Sequence, residues 1–199
     1  MVKQAFGFAA GALGLVMSAG AQNQYTVDRI LSDTVTIAEL KCRDRGQLEH
    51  DFRTQGKPVE ARQASIAEWT VCDCMPNQVG ELRASLSAQD LKQQMTEAEF
   101  QKRYLPRIMS KCAAEALRAT YGEGCSEQFA AALDNSAAYC ECMEQSISQL
   151  SEAEALQLGF ESSDYNPRAA EAAKRGDPPP ARPPLLATMF SWDATCRTK

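Results

Sequence analysis

Cysteine placement constrains this chain more than any other feature. Its eight cysteines fall at 42, 72, 74, 112, 125, 140, 142 and 196, and they form two similar series. The first runs Cys42, Trp69, Cys72-Asp-Cys74-Met75, Leu82, Thr96-Glu-Ala-Glu99, Cys112. The second runs Cys125, Tyr139, Cys140-Glu-Cys142-Met143, Leu150, Ser151-Glu-Ala-Glu154, Cys196. Chance does not easily place a C-[DE]-C-M tetrapeptide, a following capping box and two flanking cysteines twice in one order, so the series read as an internal duplication. The expected division is a first helical repeat over 22–121 and a second over 122–199, diverged through loop insertions.

Residues two apart on a helix point roughly 200° from each other, so the two sulfurs of a CxC serve different neighbours. A central CxC helix stapled on both sides follows. Four cysteines per unit allow three pairings. A hairpin turning near Asn135 would set Cys125 opposite Cys142, which predicts Cys125–Cys142 with Cys140–Cys196. Repetition then predicts Cys42–Cys74 with Cys72–Cys112.

Apolar residues recur with helical spacing. Val27, Ile30, Leu31, Val35, Ala38 and Cys42 make one stripe behind Thr26, a good N-cap residue. Ser65–Glu68, Thr96–Glu99 and Ser151–Glu154 each match the capping box that opens a helix. Gly122 and Gly124 should end the helix that carries Cys112. Gly46 to Pro58 reads as a polar loop, 164–184 as an extended proline-rich connector, and Pro76 and Pro106 as kinks or breaks. The expected fold class is all-α.

Residues 1–21 have the form of a cleaved secretory signal: Lys3, an apolar stretch from Ala5 to Met17, then Ala19-Gly20-Ala21. The span between Lys3 and Gln22 is short for the about 20 residues of a transmembrane helix and carries four glycines, Gly7, Gly11, Gly14 and Gly20, so stable membrane insertion is not expected once the signal is cleaved. The expected location is therefore periplasmic or secreted, where an even cysteine count means disulfides. Loss of Lys3 takes the formal charge from −5 to −6. Without a basic cluster, that balance argues against nucleic-acid partners.

The residue inventory excludes much chemistry. A single histidine, His50, rules out an HExxH zinc site, and no GxSxG, SxxK or phosphate loop occurs. Glu97/Glu99 and Glu152/Glu154 are carboxylate pairs, but first helical turns favour them as caps. Hence no catalytic, cofactor-binding or metal residue is expected. The general character is similar to small exported bacterial proteins with paired cysteines, a class that includes antagonists and immunity proteins. A heavily stapled helical scaffold with no catalytic constellation points to a non-catalytic protein-binding, inhibitor or immunity-type module of the bacterial envelope, its partner an envelope or secreted protein. Two alternatives have a stated basis: Cu(I) binding by the CxCM pairs, whose thiolates and thioether are soft ligands, and an enzyme whose site is assembled from scattered carboxylates.

Overall fold

The computed structural model describes residues 23–130 and 133–199. The expected signal at 1–21 lies outside them. The described chain is mostly helical, and no helix among the described residues is long and apolar enough to cross a membrane.

A two-residue strand β1 (Tyr25–Thr26) leads into helix α1 (Val27–Lys41). The Thr26 hydroxyl accepts from the Arg29 amide at 3.2 Å and caps α1, which buries Val27, Ile30, Leu31, Thr34 and Ala38 along one face. Helices α2 (Gln47–Thr54) and α3 (Pro58–Trp69) follow as a hairpin. The expected loop between Gly46 and Pro58 is thus largely helix. Gly46 takes a left-handed φ of 83°, which a side chain would strain, and so reverses the chain after α1. The i,i+4 pair Glu49–Arg53 then supports α2, although no α2 residue is fully buried.

Ser65–Glu68 does not open a helix. It lies inside α3, where the Glu68 carboxylate accepts from the Gly46 amide at 2.8 Å, so the same residue types close a tertiary contact instead of a local box. Beyond Trp69 the helix widens into one π-helical turn, Thr70–Cys74, and continues as α4 (Met75–Ser85). Pro76 stands in the first turn of α4 within this continuous helix, so its missing amide donor falls where the π-helical turn gives way to α-helical register. Helix α5 (Ala88–Lys92) starts at a capping box, Ser87–Asp90, and leads to strand β2 (Gln94–Met95). The strands pair antiparallel, with Tyr25 opposite Met95.

Helix α6 (Glu97–Tyr121) carries Pro106 in its interior and ends at Gly122. Short α7 (Cys125–Phe129) and α8 (Ser136–Ile147) precede α9 (Glu152–Arg175) and α10 (Pro184–Cys196). The boxes at Thr96 and Ser151 cap α6 and α9 as the sequence predicts.

The connector expected over 164–184 is helical as far as Arg175. Tyr165 and Ala172 extend the buried face of Leu158 and Ser162, and this burial outweighs the hydrogen bond lost at Pro167. Gly176, at a φ of 74°, is the true stop. The extended part is confined to the residues between Gly176 and Pro184. Glu161 then receives the Leu186 amide at 2.9 Å, tying the start of α10 to α9. Because Pro167 is exposed and interrupts a long helix, Pro167→Ala should raise stability by about 1–3 kcal/mol in a denaturant melt.

Two cores result. The first gathers α1, α4 and α6 around Leu31, Met75, Val79, Tyr104 and Ile108; the second gathers α7 to α10 around Phe129, Tyr139, Met143 and Met189. The long helices join them. Helix α6 supplies Cys112 to the first and Tyr121 to the second, and α9 supplies Leu156 to the first and Leu158 to the second.

Candidate functional site

All eight cysteines are paired: Cys42–Cys72, Cys74–Cys112, Cys125–Cys140 and Cys142–Cys196, with Cα–Cα distances of 5.8, 5.7, 6.0 and 5.5 Å. Each CxC does divide its sulfurs between a preceding and a following segment, but the partners are exchanged relative to the expected Cys42–Cys74, Cys72–Cys112, Cys125–Cys142 and Cys140–Cys196. The reason in the second half is the position of the turn. Helix α7 ends at Phe129 and Asn135 is already the N-cap of α8, and the two helices set Cys140, not Cys142, against Cys125. In the first half, the α2–α3 hairpin returns the chain to Cys42 at Cys72, and Cys74 then meets α6 at Cys112.

The pairing bears directly on the Cu(I) alternative. No thiolate remains to bind a soft metal, and Met75 and Met143 are 5% and 0% exposed within the two cores. The aromatic residues near the cysteines also pack: Trp69 against the first core, Tyr139 and Trp192 in or against the second. Tyr139 donates to Asp193 at 2.7 Å, and Asp193 accepts twice from Arg197 at 2.8 and 3.0 Å. Burial, followed by the neighbouring carboxylate, pushes the Tyr139 hydroxyl well above its usual range, which holds it protonated as a donor. This network locks α8 to the end of α10.

One carboxylate of each pair, Glu99 and Glu154, caps its helix, while Glu97 and Glu152 lie in the same first turns. Glu99 accepts from the Thr96 amide at 2.7 Å and Glu154 from the Ser151 amide at 2.9 Å. The Thr96 amide and hydroxyl hold the Glu99 carboxyl below the usual range, the Ser151 hydroxyl and amide do so for Glu154, and the Ser87 hydroxyl and amide for Asp90. A carboxyl depressed on folding stabilises the fold above its unfolded pKa, and that contribution is lost as pH falls through the folded value. Thermal midpoints measured from pH 7 down to 3 should therefore decline at the acid end, and a Glu99→Gln/Glu154→Gln variant should show a shallower decline. His50 lies exposed on α2.

Two clefts remain. One, of about 460 Å³, lies between the end of α9 and the proline segment, over Ala172, Pro178 and Pro180. Its charged residues already pair internally, Arg168 with Asp164 and Arg175 with Asp177 and Glu171. The other, of about 330 Å³, lies beside the Cys74–Cys112 bridge. Trp69 and Asp73 come from α3 and the π-helical turn, Asn77, Gln78 and Glu81 from α4, and Lys111 and Glu115 from α6.

Unlike the first cleft, this one is lined by polar groups without partners. Asp73 pairs with Arg45, but Glu81, Glu115 and Lys111 make no ion pair within 4.0 Å. Gln78 is the most telling. The residue is only 9% exposed, yet its amide opens into this cleft and makes no hydrogen bond to the protein, which leaves both amide atoms available to whatever enters. The sequence pattern held a trace of it: Met75, Gln78, Val79 and Leu82 form the buried stripe of α4, and an amide interrupts that apolar stripe. Glu81, Lys111 and Glu115 carried no such signal, since each is an ordinary helix-surface residue until α4 and α6 are set side by side.

No family model, curated protein or solved structure matches this chain.

Proposed function

We propose that this chain is an exported, non-catalytic helical module of the bacterial envelope that binds a protein partner, built from two diverged copies of one stapled unit. The single observation that carries the reading is the complete pairing of the cysteines. Disulfides of this density belong to oxidising compartments, and a scaffold whose sulfurs are all bridged has no thiol chemistry to offer. The duplication draws support from the order of pairing, which is the same in both halves: the first cysteine joins the first of the CxC, and the second of the CxC joins the last. The copies differ in their helices. Cys112 lies on the helix opened by the Thr96 box, whereas Cys196 lies one helix beyond the Ser151 box.

Export is tested by fusing residues 1–30 to a reporter that is active only outside the cytoplasm. Binding is tested by placing a photo-crosslinking side chain in turn at Asn77, Leu48, Gln89 and Lys174. A discrete adduct from one face supports the module reading. An inactive reporter, or no adduct from any position, overturns it.

A further inference from the structure

We propose that the cleft between α4 and α6 receives a positively charged side chain, an arginine or lysine, from the partner polypeptide; the assignment rests on the protein-binding reading above. Three features converge there. Trp69 offers an aromatic surface at one wall, and aromatic rings attract organic cations held over their faces. With Asp73 engaged by Arg45, Glu81 and Glu115 outnumber Lys111, so the free charge in the cleft is negative, in a chain already net acidic. Gln78 supplies an unpaired amide that lines the cleft, whose oxygen can accept from a guanidinium or ammonium and whose nitrogen can donate to a peptide carbonyl.

The combination selects for more than charge. A bare inorganic cation would have no use for the indole or for an amide donor, whereas a side chain with an apolar stem and a charged head uses both. The volume, about 330 Å³, is at the small end for ligand clefts and suits one anchoring side chain better than a large cofactor. Anchors of this kind, an Arg in a pocket at the centre of an interface, commonly dominate protein–protein affinity.

The test uses the whole mature chain, ¹⁵N-labelled, with the Trp69 indole N–H as the reporter. The probe is the capped tripeptide acetyl-Gly-Arg-Gly-amide, compared with its citrulline counterpart, which has nearly the same shape and no charge. A saturable shift of the Trp69 signal with the arginine peptide and a much weaker one with citrulline is the expected result. Glu81→Gln/Glu115→Gln should weaken the arginine peptide by about tenfold or more, whereas Lys111→Ala should tighten it. These opposite signs separate the cleft from general damage to the fold, since both variants alter exposed or half-buried side chains. Equal shifts with citrulline, no shift with either, or loss of binding in Lys111→Ala would each overturn the assignment. Methylguanidine binding as well as the tripeptide would mark a small-cation site and overturn the polypeptide part. Failure here with crosslinks retained at Leu48, Gln89 or Lys174 removes the cleft assignment and leaves the module reading standing.

Discussion

Cys142→Ala/Cys196→Ala should lower the thermal midpoint by about 8–16 °C, the largest single effect expected in this protein. The bridge closes a separation of 54 residues, and the loop-entropy estimate for that length is about 4 kcal/mol. A chain of this size loses about 2–4 °C per kcal/mol. Cys125→Ala/Cys140→Ala, across a separation of 15, should cost less, about 3 kcal/mol. Reversal of that order would place the stabilisation in native packing instead of in the unfolded chain. The single variant Cys142→Ala has a second readout: peptide mapping after alkylation should find the new free thiol on Cys196. A thiol on Cys125 would restore the alternative pairing.

Leu156→Ala is the second large effect, about 2–5 kcal/mol, because a 5% exposed leucine leaves a cavity that rigid helices fill poorly. Its location makes it more informative than another core truncation. Leu156 enters the first core from α9, a helix whose next apolar residue, Leu158, enters the second. Leu156→Ala and Leu158→Ala should therefore both shift one calorimetric transition. Two transitions, each moved by only one of the variants, would mean that the cores unfold separately.

Local signals were legible in the sequence where a short stretch decides the outcome alone. The cap at Thr26, the boxes at Thr96 and Ser151, and the stop at Gly122 all depend on residues within one turn of each other. Ser65–Glu68 shows the limit of such signals, since a carboxylate that could cap its own helix is instead drawn to an amide of Gly46. Proline misled for a related reason. At Pro167 the local cost of a missing donor is real, but the burial of Tyr165 and Ala172 lies in tertiary packing that no window of sequence displays. Disulfide partners failed similarly, since moving the hairpin turn by a few residues exchanges Cys140 for Cys142 opposite Cys125. The cleft was less legible still. Only Gln78 disturbed a pattern, and its neighbours Glu81, Lys111 and Glu115 become a site through the pairing of two helices.

The exchanged pairing has a consequence for how the native bridges arise. Cys42 joins Cys72, Cys74 joins Cys112, Cys125 joins Cys140 and Cys142 joins Cys196, so every cysteine is bonded to its immediate neighbour in the list and no loop interleaves with another. In a chain that emerges amino terminus first, each pair can close as soon as its second sulfur appears, before any later competitor is present. Oxidation in order of emergence would therefore form the native set directly, without a bridge having to be exchanged.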